Sequence, residues 1–390
     1  MLMTRGLMRS HRNRKGMALG VVLIAIAVIS VMIVGAYFSN IQEYRLGANS
    51  LVQGRAMTAA EYGHGAVYQS WDRAFNAYRA GTTFVRTYSS SNGLTDGSID
   101  TVRLTKLNSL TYLLNSEGRS GNGPHGGARR RAGLIVRLQV PQVKILGAIT
   151  TRGTVAIGGS TSINGNDSTV AGWNCPPAGA SVAGAVVPSF SNLTSGGKCG
   201  KNYACIQGSP LVSITTAAMD TNTYFYYGGL TWSDLVTMAD KQVSGTMTNV
   251  GPSLQNGACK TNDNKNWGDP ARNALLPGAC ESYFPIIYAP GDLNINGNTG
   301  QGVLLVNGNL SIQGNFTFYG PVISRGTVKL TGTGNHITGS ILAANVVDST
   351  STSALTGNSA IQYSSCANNI ALQRTAMPVK APQRSWAELF

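Results

Sequence analysis

The sequence predicts an α+β, mainly β protein. A long N-terminal transmembrane helix is expected to precede a small antiparallel sheet and a right-handed β-helix-like solenoid with a large insertion. Three observations support this fold class. The run Met17–Phe38 carries no charge, the chain has 48 glycines with only 12% charged residues, and a short repeat fills the C-terminal part. With 390 residues, more than one domain is expected.

The apolar run Met17–Phe38 is long enough to cross a bilayer, because a helix of this length spans roughly 33 Å. Residues 1–16 contain no acid, but they contain five basic residues: Arg5, Arg9, Arg12, Arg14 and Lys15. Basic flanks stay in the cytoplasm, so the rest of the chain is expected on the outer side of the inner membrane. A secretory signal is cleaved behind a shorter apolar core, whereas the plausible site here, Gly16-Met17, precedes the run.

The helix is expected to continue to residue 80, because no proline interrupts residues 17–80. Small and apolar residues recur at three- or four-residue steps along one face: Ala48, Leu51, Ala59, Gly63, Val67, Trp71 and Phe75. Glycines such as Gly47 and Gly54 would let neighbouring helices approach closely. Packing against the protein's own sheet needs the same small residues, so both interpretations stay open.

The order of basic leader, glycine and apolar helix resembles a type IV prepilin. Cleavage after Gly16 would place Val21 at the fifth mature position, where most pilins carry Glu. The PilX-type minor pilins also lack that Glu, and they carry a small-residue segment similar to Ala59-Ala-Glu-Tyr-Gly63. This resemblance covers about residues 12–75. It implies processing by a prepilin peptidase, insertion of the apolar helix in the inner membrane and then the pilus core, and contacts with other pilins or assembly proteins.

Residues 81–139 predict the antiparallel sheet of a pilin-like head laid on the second half of the helix. Strand-forming residues occur in Thr101–Leu107, Leu110–Leu114 and Gly133–Val140. The three arginines Arg129–Arg131 follow a glycine-rich segment that lies between the second and third of these strands. They could bind phosphate or an acidic sugar, but a solvated loop is the simpler interpretation.

The repeat predicts stacked rungs. Four copies of a short apolar strand, a Gly or Asn corner and a second strand follow one another at a spacing of about 18 residues. They begin at Pro285, Gly302, Gly320 and Gly339. A fifth copy, Gly147–Val155, places the start of the solenoid near residue 140. One rung cannot bury its apolar side alone, so at least three must stack.

The domain boundaries follow from these segments. They are a leader at 1–16, the helix at 17–80, the head sheet at 81–139, a first rung at 140–166, a cysteine-rich insertion at 167–284, further rungs at 285–365 and a capping tail at 366–390. The insertion is expected to hold a short helix around Ser233–Lys241. Thr231 could cap the N-terminus of this helix, and the side chain of Asp234 could bond back to Thr231 to complete a capping box. The aromatic end of the tail, Trp386–Phe390, is expected to cover an apolar edge.

The cysteines predict disulfides rather than a metal site. All six lie on the exported side, at Cys175, Cys199, Cys205, Cys259, Cys280 and Cys366. Six cysteines allow 15 pairings, and proximity favours Cys199–Cys205 and Cys259–Cys280. A zinc site would need paired Cys-x-x-Cys motifs or clustered histidines, and the sequence has neither. No metal and no cofactor is therefore expected.

Catalysis is not expected either. Many right-handed β-helices cleave polysaccharides with two or three converging carboxylates, and between Pro285 and Tyr363 only Asp292 and Asp348 are acidic. His336 is interpreted as a corner residue, and the other histidines, His11, His64 and His125, are scattered along the chain. No nucleophile elbow, phosphate loop or dinucleotide motif occurs.

The predicted function is that of an exported structural subunit, similar to a minor pilin, in a type IV pilus or a related filament. It would contribute to assembly or adhesion, first in the inner membrane and then in the periplasm or on the cell surface. Two alternatives remain: an uncleaved membrane-anchored β-helix acting as scaffold or adhesin, and a polysaccharide-active enzyme. The net charge of +14, of which the leader supplies five, suits an anionic partner such as lipopolysaccharide, another surface polysaccharide or DNA, but solubility and membrane orientation are the simpler explanation of the charge.

Overall fold

A long N-terminal helix precedes a mostly β domain, as predicted. The computed structural model describes residues 17–88, 97–120, 127–200, 202–215, 230–270, 279–345, 358–381 and 385–389. Within these residues the α-helices are α1 (Met17–Gln69), α2 (Trp232–Thr237) and α3 (Ser365–Arg374). Thr231 and Asp234 form the predicted capping box of α2, although that helix is shorter than expected.

Helix α1 ends at Gln69, earlier than the predicted end at residue 80. A short 3-10 helix, Arg73–Ala77, follows it. The side chain of Asp72 caps this second helix by accepting a hydrogen bond of 2.8 Å from the amide of Ala74. Such a local bond offers the backbone an alternative to continuing the α-helix, which explains the early end.

The next four strands form an antiparallel sheet. They are β1 (Thr83–Thr87), β2 (Gly97–Lys106), β3 (Thr111–Ser120) and β4 (Arg129–Gln139), in the spatial order β1-β2-β3-β4. Strands β2, β3 and β4 contain most of the three predicted strands and extend beyond them, whereas β1 was not predicted. Arg129–Arg131 form the start of β4, so the prediction of a solvated loop for them was wrong.

The C-terminal half of α1 lies on this sheet. Its buried residues are Ala56, Ala59, Ala60, Gly63, His64 and Val67. The closest approach is at Gly118 of β3, where an added Cβ would lie 2.2 Å from the carbonyl oxygen of Ala56 and 2.3 Å from the nitrogen of Ala60. Only a residue without a side chain allows the backbones of helix and strand to come this close.

The remaining β structure is mainly parallel. Before the predicted rungs at 285–365 come β5 (Gly147–Thr151), β6 (Val155–Ile157), β7 (Ser162–Asn164), β8 (Ala183–Val187), β9 (Leu193–Ser195), β10 (Ile206–Gln207), β11 (Val212–Ile214), β12 (Lys241–Gln242), β13 (Gly245–Val250), β14 (Leu254–Gln255) and β15 (Ala258–Cys259). Within those rungs lie β16 (Ile286–Ala289), β17 (Leu293–Gln301), β18 (Val303–Val306), β19 (Leu310–Thr331), β20 (Thr333–Asn345) and β21 (Asn358–Tyr363).

Thirteen of these strands form one sheet within the described residues, and their pairing follows the spacing of the sequence repeat. Ile286 of β16 pairs with Val303 of β18, Leu304 with Val322 of β19, and Val322 with Ile341 of β20. These offsets equal the steps between the starts of successive copies of the repeat. All the pairings are parallel, so each copy of the repeat lies directly beside the next one.

The order of the strands in space differs from their order in the chain. Along one side of the stack the order is β12, β16, β18, β19, β20, β5, β8 and β11. The predicted first rung at 140–166 therefore lies inside the stack, between β20 and β8. Residues 167–284 are not an insertion outside it, because β8 and β11 extend one end of the stack and β12 and β13 form the other.

The two faces of the parallel strands are both buried. Leu304, Val322 and Ile341 belong to the interior core of the stack. Alternate residues such as Leu305 and Ile323 point to the opposite face, where they pack with residues of α3. Helix α3 thus covers the outer face of these strands rather than their open end.

The tail after α3 returns to the antiparallel sheet. Its strands β22 (Met377–Lys380) and β23 (Trp386–Leu389) both pair with β4. The prediction that 366–390 caps the solenoid was therefore wrong. The aromatic end lies instead beside a strand that precedes it by more than half of the chain.

Candidate assembly surface

The first half of α1 has no covering within the described part of the chain. From Leu19 to Phe38 its large apolar side chains, including Leu19, Val31 and Phe38, are 47 to 73% exposed. The uncharged stretch ends only at Glu43, so it spans about 39 Å of helix. Soluble monomers rarely expose an apolar surface of this size, and such a surface usually marks a site of contact with another protein or a membrane.

The same segment meets the length and hydropathy criteria of a membrane span. An 18-residue window inside Leu19–Gln69 qualifies, and none of that window is buried in the protein. From Met17 to Phe38 no side chain is charged, and the α-helix satisfies its own backbone groups. The contact with the antiparallel sheet starts about three turns beyond Glu43, where Gln53 accepts a hydrogen bond from Arg130 of β4 and Ala56 is buried.

The helix glycines fall into two groups. Gly63 packs against the sheet, since an added Cβ would lie 2.2 Å from Oγ of Ser116. At Gly20, Gly35, Gly47, Gly54 and Gly65 an added Cβ would have nothing within 4 Å. Packing against the protein's own sheet therefore accounts for Gly63 and for none of these five.

The predicted processing site lies at the start of α1. Gly16 is outside the described residues, and Met17 is the first residue of the helix. Val21, which stands where most pilins carry Glu, is 63% exposed on the apolar segment. Nothing in the described chain covers the apolar segment there.

The cysteines form three disulfides. Two are the pairs favoured by proximity, Cys199–Cys205 and Cys259–Cys280. The third, Cys175–Cys366, joins residues 191 positions apart. It ties α3, which precedes the two C-terminal strands of the antiparallel sheet, to the segment between β7 and β8. Sequence reasoning missed this pair because proximity along the chain favours short loops.

The short 3-10 helix connects the antiparallel sheet to the rest of the protein. Arg73 forms an ion pair with Asp240, and the Asp240 carboxylate also accepts a hydrogen bond of 2.7 Å from the amide of Ile286. Burial raises the pKa of Asp240, and the guanidinium of Arg73 opposes that shift. Asn76 donates hydrogen bonds of 2.9 and 2.8 Å to the carbonyls of Arg374 and Ala376, where α3 ends.

His64 is a buried polar residue that the sequence did not single out. Its ring nitrogen Nε2 lies 2.9 Å from the carbonyl oxygen of Ala132 in β4. Burial lowers its pKa, and this effect outweighs the opposite influence of the hydrogen bond to Ala132. The neutral imidazole therefore joins α1 to the sheet.

The predicted anion site at Arg129–Arg131 is occupied by protein groups. Arg129 and Arg131 lie 3.4 and 3.0 Å from the carboxylate of Glu117. Arg130 lies 3.2 Å from Glu388 of β23. The three charges therefore connect strands of the same sheet.

The candidate catalytic residues do not converge within the described chain. The carboxylate of Asp292 accepts a hydrogen bond of 2.7 Å from the amide of Asn309, one copy of the repeat further on. Asn309 in turn accepts one of 2.9 Å from the amide of Thr327. His336 is exposed within β20, and Asp348 lies outside the described residues. No group of three potential metal ligands occurs among the residues described.

Comparison with known proteins gives little further information. No family model matches the chain, and no curated protein is significantly similar to it. Among solved structures, the competence-associated pilin ComZ from Thermus thermophilus aligns over 87% of this chain and 97% of its own, with 12% identity and a TM-score of 0.24. These values are too low to support an inference about this chain.

Proposed function

We propose that the chain is an exported, membrane-anchored structural subunit of a type IV pilus or related filament, of the PilX-type minor pilin class. The observation that carries this proposal is the division of α1. Its first half is uncharged and, from Leu19 to Asn40, exposed around the whole helix, and its second half packs on an antiparallel sheet. One continuous helix thus offers an anchor in a bilayer and a contact surface for the helices of other subunits.

In this proposal a prepilin peptidase cleaves after Gly16, and Met17 becomes the N-terminus. The absence of an acid at Val21 suits a rare subunit at the tip or at initiation, because it cannot pair with the N-terminal amine of a neighbour. The parallel stack is a β-helix domain, which projects from the filament and contributes to adhesion. The chain acts without catalysis; the engagement of Asp292 in a corner hydrogen bond supports this.

The test begins with fractionation of cells that express the full chain. We expect it in the inner membrane and in sheared surface filaments, with mass spectrometry giving a methylated Met17 as its first residue. A Gly16→Val variant should keep its leader, stay in the membrane and be absent from filaments. A wild-type chain that keeps Met1 and never enters filaments would instead favour the uncleaved scaffold. Recovery from the cytosol with reduced thiols would refute both.

A second experiment tests the helix surface. Gly35→Ile should leave the folding of the monomer unchanged, because an added Cβ meets nothing there. It should nevertheless reduce recovery in filaments if neighbouring helices approach closely at this position. Gly65→Ile is the matched control, since that glycine is equally open but lies near the antiparallel sheet. Equal recovery of both variants would contradict helix packing at Gly35.

A further inference from the structure

A polar groove of about 560 Å³ crosses the end of the parallel stack formed by β13. Its floor consists of the end of β13, the second half of β17 and the first part of β19. Its wall is formed by residues 251–253, 263 and 265, which flank the hairpin β14–β15. The side chains that line it are mostly amides and hydroxyls, so the groove is a wet surface rather than an apolar pocket.

The amides of the groove recur along the stack. Asn249, Asn298 and Asn315 all have positive φ, at 53°, 76° and 53°, and they lie on three successive strands of the stack. Neighbouring strands are about 4.8 Å apart, so polar groups repeat across the groove at that interval. Beside them, Thr299 and Thr317 pair in register. Amides and hydroxyls can both donate and accept hydrogen bonds.

The wall of the groove is preformed. The carboxylate of Asp263 accepts hydrogen bonds of 2.9 Å from the amide of Lys265 and from Oγ of Ser253. These bonds lower the pKa of Asp263, so its carboxylate is charged. The fully buried Asn266 donates to the carbonyl of Ser253 at 3.1 Å, and the Cys259–Cys280 disulfide closes the base of the segment. A ligand would therefore not have to order this wall on binding.

We propose that this groove binds an uncharged polysaccharide. Repeated donors and acceptors suit a polymer of hydroxyl-rich units, and the charges of Asp263 and Lys265 balance, which gives the groove no preference for an anion. Asp263 is the only carboxylate among the lining residues. The pair of carboxylates used by glycosidases is therefore missing from the lining, and the ligand is held rather than cleaved. The inference does not depend on the filament function.

The test is calorimetric titration of the full chain in a detergent without a sugar headgroup. The probes are hexasaccharides of α1,4-glucose, β1,4-glucose and β1,4-N-acetylglucosamine, with hexagalacturonate as the charged comparison. We expect at least one uncharged probe to bind. The double variant Asn298→Gly/Asn315→Gly removes two amides while keeping a residue that adopts positive φ readily, and it should weaken that binding at least tenfold.

The matched control is Asn256→Gly, which also has a positive φ of 53° but does not line the groove. It should bind within twofold of the wild type, and both variants should unfold at the wild-type temperature. Binding of hexagalacturonate alone would overturn the proposal. So would the absence of binding by all three uncharged probes, or unchanged affinity in the double variant.

Discussion

The contact between α1 and the antiparallel sheet can be tested at Gly118. In Gly118→Ala the new Cβ would lie 2.2 Å from the carbonyl oxygen of Ala56, 2.3 Å from the nitrogen of Ala60 and 2.9 Å from the carbonyl carbon of Ala59. These are backbone atoms of α1, so no side-chain rotation relieves the overlap. The helix has to move about 1 Å away from β3 to restore van der Waals contact.

The cost follows from that displacement. A gap of roughly 0.5 to 1 Å forfeits a quarter to a half of the dispersion energy of the atoms on either side, and overpacked sites usually lose about 1 to 3 kcal/mol. Because backbone opposes backbone at Gly118, we expect the upper end, about 3 kcal/mol in the free energy of unfolding. Val67 and other buried side chains between helix and sheet would lose contacts together.

The assay is urea unfolding of the full chain in detergent, together with hydrogen–deuterium exchange of peptides from β2 and β3. Gly118→Ala should unfold at lower urea and exchange faster in these strands. Gly65→Ala is the control, because an added Cβ there meets nothing and removing a helix glycine should stabilise α1 by up to about 1 kcal/mol. If the stability of Gly118→Ala stayed within about 0.5 kcal/mol of the wild type, the range of an ordinary surface substitution, the close approach of α1 to β3 would be refuted.

Three further outcomes are expected. Burial lowers the pKa of His64 in the folded protein, so below about pH 6.5 the unfolded chain binds more protons than the folded one. The contribution of His64 to the free energy of unfolding should be constant above pH 7 and fall by at most ~1.4 kcal/mol per pH unit below pH 6.5. In pH-dependent unfolding, His64→Gln should flatten this decline. Replacing Cys175 and Cys366 by Ser opens a loop of 191 residues, whereas replacing Cys199 and Cys205 opens a loop of six. Loop entropy predicts that these changes lower the free energy of unfolding by roughly 5 and 2 kcal/mol, so the first should lower the thermal midpoint more. Arg73→Met removes the cation that pairs with the half-buried Asp240 carboxylate, leaving Lys241 as the other nearby positive charge, and raises the pKa of Asp240 further. The variant should lose about 2 kcal/mol at pH 7 and less at pH 5, and adding Asp240→Asn should restore part of the loss.

Local patterns in the sequence predicted the parts of the fold that depend on local chemistry. The uncharged run indicated the anchor-length helix, alternation indicated β2 to β4, and the spacing of the repeat indicated the register of β16, β18, β19 and β20. In each case the signal is carried by the residues of the element itself. The capping box of α2 belongs to the same class, because Thr231 and Asp234 are close neighbours in the chain.

The features that were missed depend on contacts between distant segments. Strand β8 has the sequence Ala-Gly-Ala-Val-Val, which lacks the long apolar side chains of the main repeat, so only its pairing with β5 identifies it as part of the parallel stack. The pairing of β22 and β23 with β4 crosses more than half of the chain. Asp72 ended α1 through a single side-chain bond that competes with an otherwise helical sequence.

The groove proposed to bind polysaccharide was also hidden from the sequence. Asn249 and Asn298 lie far apart in the chain, and only the parallel pairing of β13 with β17 makes them neighbours. The asparagine and glycine corners predicted turns, but a turn alone does not indicate a binding surface. The net positive charge of the whole chain suits an anionic partner. At the groove itself, however, the opposite charges of Asp263 and Lys265 cancel and give no such preference.

The permuted strand order has a consequence for biogenesis. Strand β5 leaves the ribosome roughly 190 residues before its partner Ile341–Ala343 in β20, which at ~5 to 20 residues per second is a delay of roughly 10 to 40 s. During that interval the edge of β5 that later pairs with β20 is open, and another nascent chain could add a strand to it. Strand β20 then joins the two parts of the stack, because it pairs with β19 on one side and with β5 on the other. Chains truncated before residue 341 should therefore aggregate.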